Sequence, residues 1–436
     1  MRKVTIFVVL LLLNIPVFTQ NNLWTLEGCI NHALENNISI LQAKNNLLSA
    51  QQDITSARGN FLPSINSNLS GGASFGNIEL YAGEFADREY YSTSVGVGLS
   101  QNIFNGFRNI NLLNQSKLSL QRNKYELESL KDDISLNVAN AYLNVLFNKE
   151  NLELAKSQVV FSEIQIEKVK SLVNEGSEPM STLIETQATY SRDIQNLTIA
   201  QNSHELALLG LSQLLQIPNE GFNIELIEID APSANLMYDD ITPILNYAME
   251  NRNEIKVAEQ DIELAKIGTK ISRSAYLPSI SMGYGFNASA NFSNLTDDDE
   301  LLDQINDNKG HSLNMNISIP IFSRNQIKSQ VKKSKIQEST SSLFLEQVKI
   351  NLESTIQRAF TDASAALKSY EAAQLSLQSQ EVAFQNSQER FIIGALNSFD
   401  LEQSRLRLLN ARSSLINAKY DFIFKTKVLD FYLGKR

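Results

Sequence analysis

The sequence holds little from which a reactive centre could be built. One cysteine and three histidines in 436 residues leave no intramolecular disulfide and almost nothing for a zinc site. His32, His204 and His311 lie far apart and in unlike surroundings. No HExxH or Gly-Lys-Ser/Thr phosphate-loop pattern occurs, and no GxSxG elbow, since the string Gly72-Ala73-Ser74-Phe75-Gly76 falls within an expected strand and not at a strand-to-helix turn; this removes the metalloprotease, serine-hydrolase and nucleotide-driven classes. Carboxylate pairs such as Glu126/Glu128 and Glu225/Glu228 fall on helix or linker patterns and read as solvated faces. No catalytic residue, cofactor or metal is expected. A formal charge of −10 and a pI near 5.1 argue against nucleic acid as a partner. Long apolar runs are equally scarce, so a polytopic helical membrane protein is excluded. Eight prolines and one tryptophan are few for this length, and long uninterrupted elements are the consequence.

The one apolar run that matters is at the N-terminus. Arg2 and Lys3 precede Val4–Leu13, and Asn14-Ile15-Pro16 breaks the run. A core of about ten apolar residues is too short to span a bilayer as a helix and has the form of a secretory signal. Residues 1–19 are read as that signal, with cleavage near Thr19 or Gln20. Cys29 follows Leu26-Glu27-Gly28, and the charged Glu27 does not fit lipid attachment. Cys29 is read as a packed thiol.

The remainder is written twice. Ala33-Leu34-Glu35-Asn36 recurs as Ala248-Met249-Glu250-Asn251, and Phe61-Leu62-Pro63-Ser64-Ile65 recurs at the same offset as Tyr276-Leu277-Pro278-Ser279-Ile280. A second, slightly longer offset relates Ile103-Phe104 to Ile321-Phe322, Gly176 to Gly394 and Leu183 to Leu401. Solenoid repeats have far shorter periods, so this is a duplicated half-protein. The expected organisation is a first repeat over 20–217, a linker over 218–243 with a short strand near 223–229, and a second repeat over 244–436.

Within each half, a helix ends before proline. Pro63 and Pro278 are expected helix-to-strand breaks, since proline cannot continue a helix and pushes its neighbour towards extended geometry. Beyond them the period becomes two. Thr93, Val95, Val97, Leu99 and Ile103 alternate with small polar residues; so do Ile280, Met282, Tyr284 and Phe286, and Leu313, Met315, Ile317, Ile319 and Ile321. That is the lipid-out, water-in pattern of an outer-membrane strand. Strands are expected near 64–79, 91–104, 279–293 and 311–322. An aromatic hairpin tip (77–91) and an acidic, solvated loop (294–310) separate them. A soluble sandwich edge also alternates, but long helical flanks and a secretory signal do not accompany one.

Residues 107–174 contain neither Pro nor Gly, enough for a helix of about 100 Å. Its stripe runs Leu127, Leu130, Ile134, Val138, Ala141, Val145, Leu152, and a stricter one runs Leu401, Ser404, Leu408, Ala411, Leu415, Ala418, Phe422, Lys425, Leu429. Steps of three, four and seven mark coiled-coil seams. Four strands cannot close, because membrane barrels start at eight and an open edge is not tolerated in lipid. The barrel must be shared between chains, and counting does not choose how many.

The duplicated helix–Leu-Pro-Ser–strand pattern, Ile103-Phe104-Asn105-Gly106, Ile319-Pro320-Ile321-Phe322-Ser323 and the turn from Gly394 to Leu401 together resemble the TolC family of outer-membrane efflux proteins. The resemblance covers the whole chain after the signal. It implies a mixed α/β membrane protein: a homotrimer with an α-barrel and a shared twelve-stranded transmembrane β-barrel, in the outer membrane of a Gram-negative bacterium and reaching through the periplasm. It implies outer-membrane lipid, a periplasmic adaptor (membrane fusion) protein and an inner-membrane RND or ABC transporter as partners. The adaptor-docking tips would hold Gly176 and Ser177, and Gly394, Ala395 and Leu396; the glycines are equally accounted for by the turns alone. A family pair of aspartates near the trimer axis is matched at Asp400 and departed from at Gln403, with Thr182 at the equivalent place in the first half. Asp400, Gln403, Thr182 and Phe391 are thus the expected periplasmic constriction, Phe391 favouring apolar closure. Asp400 reads equally as an acid complementing a helix N-terminus. The function implied is an exit channel for small molecules in a tripartite efflux system. Type I protein secretion through the same channel, and a soluble periplasmic coiled-coil scaffold, are the rivals.

Overall fold

The computed structural model describes residues 23–225 and 240–435; the expected signal and most of the inter-repeat linker lie outside them. In the first half, α1 (Leu26–Asn36) and α2 (Ile38–Gly59) lead into β1 (Ser64–Tyr81) and β2 (Glu84–Asn105), followed by α3 (Arg108–Asn174) and α4 (Met180–Leu215). The second half runs α5 (Thr242–Asn251), α6 (Asn253–Ser274), β3 (Ser279–Ser293), a short α7 (Leu301–Asp307), β4 (Gly310–Ser318), α8 (Gln326–Ile392) and α9 (Ser398–Tyr432).

The duplication extends to backbone conformation. Helices α3 and α8 have 67 residues each. The left-handed pair Gly106 (φ 66°) and Phe107 (φ 66°) recurs, at the offset that relates Gly176 to Gly394, as Arg324 (φ 48°) and Asn325 (φ 63°). The last turn before each proline is the same, with Leu62 N–H donating to Gly59 O at 2.9 Å and Leu277 N–H to Ser274 O at 3.0 Å. Gly106 has a second reason to be glycine: a Cβ there would run into the backbone oxygen of Ser274.

The chain divides into two compact units. The first comprises the described residues of Met1–Ile40, Lys131–Thr242 and Gln357–Arg436. Its packing follows the expected seams. On α9, Leu401, Ser404, Leu408, Ala411, Ala418, Phe422 and Leu429 are buried. Ala366, Leu367 and Tyr370 of α8 pack against Ala418 and Phe422, with the Tyr370 and Phe422 rings stacked at 6.2 Å. Alanine at these positions lets the backbones approach, as ridge-into-groove packing requires. Near the linker, Trp24 and Ile224 form a parallel bridge, over which the buried Tyr142 donates its hydroxyl to Trp24 O (3.1 Å) and Glu225 O (2.7 Å). Beyond Glu225 the expected linker strand lies outside the described residues. Cys29 is fully buried, and burial pushes its thiol pKa up to about 11.

The second unit, Leu41–Leu130 and Pro243–Ile356, holds one antiparallel sheet in the order β1-β2-β3-β4. Its register sorts the side chains as the alternation required. Leu69 pairs with Val95 and Val95 with Ala288, while Tyr284 pairs with Leu99 and with Leu313. The other face is Asn, Ser and Gly: Asn68, Gly96, Asn287 and Ser70, Ser94, Ser289 are in register.

Four details differ from expectation. Ile103 falls at a bulge between Asn102 and Phe104, which sets Phe104 opposite Ile280; an extra residue reverses the parity. The aromatics Tyr81, Phe85, Tyr90 and Tyr91 stand on strands, because Gly83 (φ 87°) permits a tight turn between Tyr81 and Glu84. The acidic 294–310 segment holds helix α7, around which Asp298 accepts from Ser293 N (2.6 Å) and Thr296 Oγ1 (2.8 Å). β4 stops at Ser318, since Pro320 has no N–H for the ladder.

Candidate gate at the helix-pair tips

Both long helix pairs turn by the same device. After α3, Gly176 N–H donates to Val173 O (3.0 Å) and Ser177 N–H to Leu172 O (2.9 Å); after α8, Gly394 N–H donates to Phe391 O (3.1 Å) and Ala395 N–H to Arg390 O (2.8 Å). This is the Schellman pairing, which closes a helix on a left-handed residue. Gly176 and Gly394 have φ of 75° and 73°, and no atom lies within 4 Å of where a Cβ would sit on either. Glycine is needed there for conformation, not for space. The two tips line one cleft of about 620 Å³ with Ser177, Phe391, Gly394, Ala395 and Leu396 on its wall. Ile392 and Ile393, at the very end, are 69% and 77% exposed.

The expected constriction residues divide. Phe391 is buried, with Lys168 Nζ 5.3 Å from its ring centre. Thr182 is buried and donates to Glu178 Oε2 at 3.1 Å. Thr182 and Gln403 line a second cleft of about 360 Å³. Asp400 lies outside both clefts, exposed in the first turn of α9, where Asn397 caps the helix by accepting from Asp400 N at 2.8 Å. In the single chain Asp400 therefore acts as a helix N-terminal acid. Pro63 and Pro278 stand directly before β1 and β3.

A cluster that the sequence did not flag lies behind these residues. Arg405 of α9 is 4% exposed and donates to Asp193 Oδ2 of α4 (3.2 Å), to Gln158 Oε1 of α3 (3.0 Å) and through two nitrogens to both oxygens of Glu402 (2.8 Å each). Its guanidinium lies 5.7 Å from the Phe161 ring centre. Burial opposes the charge, but the bonds to Glu402 and the charges of Glu402 and Asp193 outweigh it and hold the Arg405 pKa above its ordinary value. Three helices are thus pinned at one fully charged side chain. The repeat offers no counterpart, because Gln187 and Ala411 occupy the positions equivalent to Arg405 and Asp193. The available sequence signal was an arginine directly after seam residue Ser404.

Comparison with known proteins gives a match to the outer membrane efflux protein family over residues 29–215 and 244–435, that is, over both copies of the repeat. The chain belongs to the outer membrane efflux protein family. As a member it is an outer-membrane protein extending into the periplasm, and not an enzyme. That location removes the soluble scaffold. Among relatives, the outer membrane protein TolC of Vibrio cholerae is 22% identical over 96% of this chain and 95% of its own length. The alkaline protease secretion protein AprF of Pseudomonas aeruginosa is 20% identical over 92% and 82%, and the pyoverdine export outer membrane protein OpmQ of Pseudomonas putida 23% over 69% and 60%. Among solved structures, the outer-membrane channel OprN superposes with a TM-score of 0.76 at 17% identity, over 94% of this chain and 90% of that one. The Campylobacter jejuni channel CmeC gives 0.74 at 19%, over 95% and 86%. The outer membrane efflux protein fold is therefore shared, although little sequence is.

Proposed function

We propose that this outer membrane efflux protein is the passive exit duct of a tripartite efflux system, working as a homotrimer. The observation that carries the reading is the sheet. It has four strands, with β1 and β4 left as free edges among the described residues, and an apolar face on which Leu69, Leu313 and Met315 are 80%, 69% and 68% exposed. Such an apolar face suits lipid, and in lipid a free edge is tolerated only if the sheet closes. Three copies give the twelve strands of a TolC-like barrel, in which β4 of one protomer pairs with β1 of the next. The halves over 20–217 and 244–436 then act as two structural repeats joined by the 218–243 linker.

Without a nucleotide site the duct is driven from the inner membrane, by an RND or ABC transporter acting through a periplasmic adaptor. The exposed Ile392 and Ile393 beside Gly394, Ala395 and Leu396, with Gly176 and Ser177 on the sister tip, form the docking end. Asp400, Gln403, Thr182 and Phe391 form the constriction, where three copies of Asp400 would favour cations. Small molecules are the cargo of this reading, in keeping with OpmQ; protein export through the same channel is the second reading, favoured by the likeness to AprF over most of both chains.

Cysteine pairs placed across the β1 and β4 edges test the assembly. A pair in register is expected to give a covalent trimer on oxidation. Oxidation confined to single chains or stopping at dimers, across a full scan of registers, would contradict it.

A further inference from the structure

The sheet-bearing unit separates its charge along the strands. On the four connecting segments next to the sheet (49–63, 106–120, 264–278 and 319–333), ten cations face one carboxylate, Asp53. At the other end of the strands, residues 79–89 and 294–309 carry ten carboxylates against two cations, Arg88 and Lys309. The chain as a whole is at −10, so the helix-side collar has the opposite sign to the rest.

The collar is densest where β4 passes into α8. Arg324, Lys328, Lys332, Lys333 and Lys335 are all exposed, the first carboxylate after them is Glu338, and none of the five forms an ion pair among the described residues. Lys328, Lys332 and Lys335 follow one another on a single helix face. This arrangement works against the helix that carries it. Like charges four apart repel, and cations in the opening turns oppose the positive end of the macrodipole; the first turn of α8 holds no acid to offset them. A helix meant only for water would place carboxylates there.

Between the sheet and the cations stand Ile319, Ile321 and Phe322, 64%, 95% and 80% exposed. Apolar and then cationic is the order of a membrane interface read outward from the acyl chains. From Lys328 to Lys335 the helix rises about 10 Å, comparable to one headgroup layer of about 5–8 Å together with a Debye length of about 8 Å.

We propose that this collar binds the anionic phospholipid headgroups of the periplasmic leaflet. The proposal rests on the reading of the sheet as a membrane barrel with its helices on the periplasmic side. The acidic loops at the far end of the strands repel the same headgroups, so the two ends together favour one orientation across the bilayer.

The test counts phospholipid retained by the assembled channel in mixed micelles of phosphatidylglycerol and phosphatidylcholine, by native mass spectrometry. The channel is expected to retain phosphatidylglycerol preferentially, by about tenfold, with the preference falling as salt is raised. The combined variant Lys328→Gln, Lys332→Gln, Lys333→Gln, Lys335→Gln should lose most of that preference, and the matching Lys→Arg variant should keep it. Equal retention by the unaltered channel, or a preference that survives in the Gln variant, overturns the proposal. Conductance in a neutral bilayer separates this from the channel reading, which stands if discrete steps persist whatever lipid is bound. Altered ion selectivity with unchanged lipid retention would place the lysines in the water-filled bore and also overturn the proposal.

Discussion

Arg405 and Asp193 meet at 3.2 Å with only 4% of each side chain exposed; the same arginine nitrogen also reaches Gln158 of α3, and the other two hold Glu402. Removing one partner from a buried pair leaves an uncompensated charge, at a cost of about 3–5 kcal/mol. Arg405→Met is therefore expected to lower the thermal stability of the solubilised protein substantially. Arg405→Met combined with Asp193→Leu should recover much of the loss, because a hydrophobic replacement of a whole buried pair is often neutral. A double variant no more stable than the single ones would show that the cluster acts through packing alone.

The glycines separate strain from collision. Gly176→Ala or Gly394→Ala puts a Cβ on a left-handed residue in open space, and should cost about 1 kcal/mol, visible as faster amide exchange confined to that tip. Gly106→Ala adds a collision with the Ser274 backbone and the Leu277 side chain, and should reduce the yield of assembled protein. Equal effects at all three positions would contradict the distinction.

The two faces of the sheet make opposite predictions for the same substitution. Met315 is on the apolar face, in register with Met282, and Met315→Arg should cost about 2–4 kcal/mol near the bilayer midplane and abolish heat-resistant oligomers. Asn316, the next residue along, is in register with Ser281, and Asn316→Arg should assemble normally and change ion selectivity instead. Tolerance of Met315→Arg would mean that this face meets water.

Periodicity and punctuation were legible in the sequence; pairings between distant residues were not. Pro63 and Pro278 marked the strand starts because proline acts on its own neighbours, and the α9 seam was readable because burial on a helix repeats every three or four residues. The bulge at Ile103 was hidden, since one inserted residue leaves the local alternation intact until a partner strand reveals the shift. Helix α7 was hidden by an acidic composition that suits a loop as well as a short helix. Arg405 looked like any solvated cation, because its enclosure depends on Asp193 and Gln158, which lie on other helices in the opposite half of the sequence. Asp400 shows the reverse: its place opening α9 was legible, and a ring role needs two further copies of the chain.

Single-channel recording on detergent-extracted oligomer of measured mass is the decisive test of a water-filled pore shared between identical protomers. A trimer that gives discrete conductance steps is expected, with Asp400→Ala lowering cation selectivity or raising the open conductance. A species of trimer mass that stays silent across the bilayer, or conductance carried by a single chain, would contradict it.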